Sequence, residues 1–486
     1  MAELNPQGTP LENLVDEPAP AGATGRYQQE LARSLTMREN ILITLSSVTP
    51  ASSVFIIVPA ILLGVGGASV LTLVLAAIAA VFVGVCYAEL SATYPVTGGE
   101  YTWAARLLGR PLGFATFLLT LVSGILIISV IALGTGDYLG AAWSGLSGSW
   151  VGVGVIVVTT VVSILDIRTN AWVTGIFLAT ELLALVVLTL LGFLHPQRGL
   201  DSFFSAQVAG PDGLHGVGVA AVVALLPVAL FAFNGYGAAV YYVEETKDAN
   251  RTIGRVILMS LVVTAVVEIV PLAAVVIGAP SMSALLGSDA PMNYFLVARG
   301  GQALNVVISV GIALAIVNAV IAIIIQIARL VYASARDRSW PGPVDDVLGK
   351  VHPRYRSPAN ATLLVGGLSV LAAVFIPLSW LITATGASVA VVYLVVGACA
   401  LRLRRPGVAS SRGYRMPLWP LPPLLLIAGM LYVCVQVAKD TPSQLAISLG
   451  TMALGLVYYL GYIHPRRGER WTLPDPVEEE IEGSRH

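Results

Sequence analysis

Charge is scarce in this sequence. Of its 486 residues only 11% are Asp, Glu, Lys or Arg, where an average soluble domain carries roughly 25%. Hydrophobic residues make up 56%. Such a chain cannot cover itself with polar surface in water, and a lipid bilayer is the solvent that accepts the excess. The few charges nearly cancel, to a net of -1, which removes the electrostatic basis for nucleic-acid binding.

Cysteine is scarcer still. Cys86, Cys399 and Cys434 lie inside apolar runs at spacings that suit neither a metal site nor a disulfide framework. They read as small core residues, and neither metal nor cofactor is expected. The five histidines, His195, His215, His352, His464 and His486, all fall in loops or tails. An intramembrane enzyme needs His paired with Ser or a carboxylate at depth, so none is expected. Repeated filter loops and charged rings are absent too, which argues against a channel. A membrane scaffold is the remaining rival. Residues 1–40 carry no leader-like run; polar and rich in Pro, Gly and Glu, they read as a disordered tail.

What the chain has in abundance is apolar length. A spanning helix needs about 20 apolar residues to cross about 30 Å of hydrocarbon. About twelve segments qualify, near 41–63, 68–92, 111–139, 150–165, 172–194, 217–243, 254–279, 301–333, 361–377, 380–401, 419–437 and 443–463. The fourth and ninth are short. If the N-terminus is cytoplasmic, Lys and Arg should gather in or beside the even-numbered loops and both tails. Of the 27, all but Arg198, Arg299 and Lys439 do so. The pattern predicts an all-α integral membrane protein of twelve spans, with both termini (1–40 and 466–486) in the cytoplasm, and a plasma membrane is the expected location.

Two spans are interrupted. The first contains SSVTPASSVF (Ser46–Phe55), and its Pro50 removes a backbone donor and forces a kink or opening. The sixth contains FAFNGYG (Phe231–Gly237) in mid-run. Broken backbone at mid-bilayer is tolerated only where protein, water or a ligand satisfies it. Amides at the start of a half-helix suit a carboxylate, and matched breaks in two halves of a chain point to a transporter's binding site. The spacing from Pro50 to Asn234 implies a five-plus-five repeat: spans one to five in 41–194, six to ten in 195–401, and two further spans in 402–465.

Three motifs carry a family resemblance. YPVTGGEYTWAARLLGRPLG (Tyr94–Gly113), FAFNGYGAAVYYVEETKDANRTIGRVI (Phe231–Ile257) and IARLVYASARDRSWP (Ile327–Pro341) stand in the order found in the amino acid–polyamine–organocation (APC) superfamily of permeases, which the chain resembles over nearly its whole hydrophobic length. The resemblance implies the inverted-repeat fold of the leucine transporter, with helices one and six discontinuous and the substrate between them. It places the first-helix break on Ala51, Ser52 and Ser53, where only the serine at 52 matches the family's glycine-serine-glycine. It puts the aromatic gate on Phe231 and the unwound stretch on Phe233, Asn234 and Gly235. Members often carry an acid where this chain has Gly237, so no coupling role attaches there.

The expected pocket is Thr49 to Ser53 (Thr49, Ala51, Ser52, Ser53) and Phe231 to Gly235 (Phe231, Ala232, Phe233, Asn234, Gly235), faced by Ser123, Ser129 and Asn318. A cargo carboxylate is expected on the first-helix amides and its amine on sixth-helix carbonyls. Neutral or aromatic amino acids lead, with polyamines and choline-like amines as the alternative. Charge at mid-bilayer marks function, proton relays among the roles. Glu181, mid-way along the fifth span, is the first proton-coupling candidate and Glu268 the second. Several relatives resembling this chain hold a proton-coupling lysine at the Glu181 position. Sodium is not expected, since Ala319–Ala328 (AVIAIIIQIA) has no Ser or Thr to supply the oxygen ligands it needs. Glu244, Glu245, Lys247, Asp248, Arg251 and Arg255 form either a solvated charge network or an inner gate against Arg329 or Arg336. The last two spans suit interface anchoring or a homodimer contact.

Overall fold

In a computed structural model of the chain, residues 35–471 are described, except 96–97, 147, 166–170, 244–245, 356 and 406–412. The N-terminal tail up to residue 34, the C-terminal tail from residue 472 and the pair Glu244–Glu245 therefore lie outside the described residues. Twelve apolar helices follow one another: α1 (Met37–Val65), α2 (Ser69–Thr93), α3 (Arg110–Leu133), α4 (Ser149–Ile164), α5 (Ala171–Leu194), α6 (Val219–Tyr242), α7 (Ala249–Gly278), α8 (Pro291–Arg336), α9 (Ala359–Phe375), α10 (Leu378–Leu403), α11 (Leu421–Asp440) and α12 (Pro442–Arg466). Ten are long and apolar enough to cross a bilayer. The other two, α4 and α9, have 16 and 17 residues, or about 25 Å at 1.5 Å per residue.

Burial sorts the helices. In their most apolar windows 78% of residues are buried in α1 and 83% in α10, against 33% in α11 and 22% in α12. The first pair is central and the second peripheral, where Leu431, Leu454 and Val457 stay exposed. Outward-facing leucine and valine of this kind are what lipid contact requires.

Several boundaries differ from the sequence reading, each for a local reason. Helix α1 begins at Met37, inside the stretch read as tail, because Thr36 and Glu39 form a reciprocal capping box: the Thr36 N–H donates to Glu39 Oε2 at 2.7 Å and the Glu39 N–H to Thr36 Oγ1 at 3.4 Å. Helix α3 stops at Leu133 and a separate helix, Thr135–Ala142, follows. Helix α8 starts ten residues before the expected 301, but Gly301 (φ 80°) interrupts it. A two-stranded hairpin absent from the all-α expectation, β1 (Gln207–Gly210) with β2 (Gly213–Gly216), precedes α6. It is tied to the end of α1 by the Gly66–Ala206 bridge. Residues 466–471, read as the start of a free tail, fold back. Trp471 is 1% exposed, packs edge-on to Phe114 and Tyr459 and lies under the Arg110 guanidinium. Arg470 pairs with Asp345 at 2.8 Å.

Two exceptions to the charge count find a structural role. Arg198 donates to the Ala279 carbonyl at 2.6 Å and Arg299 to the Gly278 carbonyl at 2.7 Å. Both cap the orphan carbonyls at the C-terminus of α7, where the helix dipole favours a cation.

Candidate functional site

Helix α1 breaks where Pro50 stands. Its first part, Met37–Val48, ends on Thr49 in the left-handed conformation (φ 51°, ψ 66°). Pro50 then opens a new turn, Pro50–Ser52, followed by a π-helical stretch, Ser53–Ile57. Proline fits there because a helix's first residue needs no donor.

The matching break lies in α6. Its first part closes at Ala232, the chain turns through Phe233–Gly235, and a 3-10 segment resumes at Tyr236–Tyr242. Gly235 has φ 121° and ψ -24°, a conformation essentially closed to other residues. A Cβ there would sit 2.7 Å from the Val48 Cα. The two breaks therefore pack backbone to backbone. They are also laced together: the Ser53 hydroxyl donates to the Ala232 carbonyl at 2.9 Å. At the start of α1, Asn40 donates to Thr246 at 2.8 Å and the Lys247 N–H to the Leu35 carbonyl at 2.9 Å.

A cavity of about 110 Å³ opens between the breaks. That is somewhat below the ~150 Å³ of an apolar cavity that takes a benzene ring, so only a compact solute fits this conformation. Ser53, Phe231, Asn234 and Gly235 line it, with Ser123 opposite. Aliphatic walls come from Val48, Ile57, Ile127, Ile131 and Ile327. Thr49, Ala51, Ser52, Ala232 and Phe233 are buried in the packing around the breaks and do not line the cavity. Ser129 and Asn318 are also outside it: Ser129 donates to Ser369 O at 3.0 Å, and Asn318 to Ser46 Oγ at 3.2 Å.

The acids fall behind the α1 break. Glu181, 1% exposed, accepts a long hydrogen bond of 3.4 Å from the Ala51 N–H. One amide assigned to a cargo carboxylate is thus held by the protein's own carboxyl. Its other oxygen has no partner. Glu268 is fully buried within reach of Ser53, yet neither of its oxygens meets hydrogen-bond geometry. The hydroxyls of Thr49 and Ser52 are unpartnered as well. Two carboxyl groups and two free hydroxyls thus border one short stretch of broken helix.

Several lining residues escaped the sequence reading, one of them an acid. Glu100 begins the helix Glu100–Leu107 between α2 and α3 and reaches the cavity. It accepts from the Tyr87 hydroxyl at 2.7 Å and the Tyr241 hydroxyl at 3.2 Å. Burial raises its pKa above the usual carboxylate range, a rise that both hydroxyls reduce without cancelling. The preceding Gly99 (φ 53°) brings this segment onto α6, since a Cβ would meet Val240 Cγ2 at 2.6 Å. A double glycine directly before an acid was the available signal.

Comparison with known proteins decides the family. A family model described as amino acid permease matches residues 35–459. The chain belongs to the amino acid permease family. As a permease it is a multi-pass membrane transporter of small molecules, and the broken helices lie inside the matched region. An uncharacterised transporter of Mycobacterium tuberculosis is 29% identical over 432 residues, covering 88% of this permease and 91% of the relative. A branched-chain amino acid permease of Bacillus subtilis is 24% identical over 412 residues, 81% and 85% of the two chains. A methylthioribose transporter of the same organism is 24% identical over 454 residues, 89% and 94%.

Proposed function

We propose that this permease is a secondary active transporter that moves amino acids across the plasma membrane by alternating access, with both termini cytoplasmic. The twelve helices form a five-plus-five inverted repeat followed by two peripheral helices, and the α1 and α6 breaks hold the cargo. The observation that carries this reading is the cavity between two helices broken at matching places. Its aliphatic walls favour a neutral aliphatic side chain, in line with the branched-chain cargo named for one relative; at about 110 Å³ the cavity must widen during the transport cycle to admit such a solute whole. The test is counterflow in proteoliposomes loaded with leucine. Saturable, carrier-type exchange of external labelled leucine or another amino acid is expected; passive, non-saturable flux or none removes the reading.

Coupling is proposed to run through Glu181 and a proton. Its carboxyl accepts from the Ala51 N–H, so adding or removing a proton alters the bond that holds the α1 break. Glu268, beside Ser53, is the second candidate. Sodium is not favoured, because the α8 stretch Ala319–Ala328 has no hydroxyl and a hard cation needs oxygen ligands. Glu181→Gln cannot titrate. Wild-type uptake should rise with an inward proton gradient, whereas the variant should exchange amino acids without responding to it. Uptake by the variant that still follows pH removes Glu181 from the coupling step.

A further inference from the structure

Glu100 lies on neither broken helix, and the carrier reading above does not use it. Among the described residues lining the cavity it is the only one with a formal charge. It is 8% exposed, its hydrogen-bond partners are the phenols of Tyr87 and Tyr241, and among the described residues no Lys, Arg or His pairs with it. A buried carboxylate is costly unless a proton or a cation neutralises it. The cavity is the open space beside it.

The surroundings select the kind of cation. Tyr87, Tyr236, Tyr241 and Tyr393 line the same end of the cavity. The Tyr87 ring lies 6.4 Å from that of Tyr236 and 6.3 Å from that of Tyr393, both edge-on, and the Tyr236 and Tyr393 hydroxyls are 3.4 Å apart. Aromatic walls around one carboxylate suit an organic ammonium, which is drawn to ring faces as well as to charge. A metal cation is a poor match. Calcium, for instance, takes six to eight oxygens, and here the Tyr87 and Tyr241 hydroxyls direct their protons at Glu100.

Three of the acceptors at the α6 break are already engaged. The Ala232 carbonyl takes the Ser53 hydroxyl, Phe231 O the Asn234 N–H at 3.0 Å, and Gly235 O the Ala238 N–H at 2.8 Å. These carbonyls keep a second lone pair but carry no charge. We infer that Glu100 is the counter-ion for the ammonium group of the cargo, in a subsite walled by Tyr87, Tyr236, Tyr241 and Tyr393. The inference rests on the carrier reading and narrows it: the cargo is a solute with a primary or quaternary ammonium, and the requirement lies at Glu100.

The test uses the full-length protein in detergent with labelled leucine and three competitors. Isoamylamine is leucine without its carboxylate, isocaproate is leucine without its ammonium, and lysine carries two ammonium groups. Isoamylamine should compete and isocaproate should not; lysine, whose second ammonium the aliphatic walls disfavour, should compete more weakly than isoamylamine. Glu100→Gln should weaken leucine and isoamylamine on the order of tenfold to a hundredfold, the range for a hydrogen bond to a charged group. Glu100→Asp, which keeps the charge, should recover most of that loss and guards against a folding artefact. Isocaproate competing as well as isoamylamine, or Glu100→Gln binding leucine with unchanged affinity, overturns the assignment. A wild type that binds none of the ammonium compounds overturns it too. If counterflow is seen in that last case with a non-amine solute, the carrier reading stands and only Glu100 falls; if no solute gives counterflow, the carrier reading itself has failed.

Discussion

Gly235→Ala should nearly abolish transport in a chain that still folds. The residue holds φ 121°, and its new methyl carbon would sit 2.7 Å from the Val48 Cα and 3.1 Å from the Val48 nitrogen. Backbone cannot rotate away as a flexible side chain can. Strain of this type is worth about 1–3 kcal/mol before the clash is counted, which corresponds to roughly fivefold to 150-fold in rate. The damage falls on the contact between the α1 and α6 breaks. Gly429→Ala is the control: it lies on α11 with nothing within 4 Å of the new carbon and should be neutral or stabilising, as alanine is the better helix former by about 1 kcal/mol. Counterflow and size-exclusion profiles of both variants check this. Wild-type exchange by Gly235→Ala means that the close approach of the breaks has no part in transport.

Arg404→Ala should be the most destabilising of the single changes considered. Its guanidinium grips Glu89 with both arms, Nε to Oε1 at 2.8 Å and Nη2 to Oε2 at 3.0 Å, and also donates to the Met416 carbonyl at 2.9 Å. The Met416 N–H adds a bond to Glu89 at 3.3 Å. This ties α2 to the end of α10 and to the segment leading into α11. The Glu89 side chain is only 2% exposed and that of Arg404 20%. Removing one partner strands the other, at a cost of about 3–5 kcal/mol for a buried pair; the partial exposure of Arg404 points to the lower part of that range. Glu89→Ala should cost nearly as much. The double variant Glu89→Ala/Arg404→Ala should lose less than the sum of the two single losses, since no unpaired charge is left. Thermal denaturation in detergent measures all of these. Additive losses in the double variant contradict a coupled pair.

The sequence displayed the helices and their interruptions because bilayer physics writes both in composition. Twenty apolar residues in a row mean one thing in lipid, and Pro50 or an Asn-Gly pair inside such a run stands out. Glu181 was visible for the same reason, as a lone carboxyl in hydrocarbon. Side-chain direction was harder to read. Ser53 and Asn234 face the cavity while Ala51, Ser52 and Phe233 face the surrounding helices, and a broken helix has no fixed period from which to tell them apart. Glu100 was hidden in a loop where acids are ordinary. Only the fold, through Gly99 pressed on Val240, brings it under the tyrosines. Arg198 and Arg299 looked like exceptions to a charge rule until the α7 carbonyls they cap came into view. Trp471 lay in a stretch that looked like tail, and its partner Phe114 is more than three hundred residues away in the chain.

The central claim is that cargo sits in the space between the two breaks, and cysteine protection at Asn234 tests it most directly. With Cys86, Cys399 and Cys434 replaced, Asn234→Cys provides one thiol on the cavity wall and Asp440→Cys one on the exposed end of α11. Leucine, at concentrations that saturate counterflow, should slow reaction of a small maleimide with the first thiol and leave the second unchanged. Saturating leucine that leaves both labelling rates unchanged, in a protein that still exchanges it, places the cargo somewhere else.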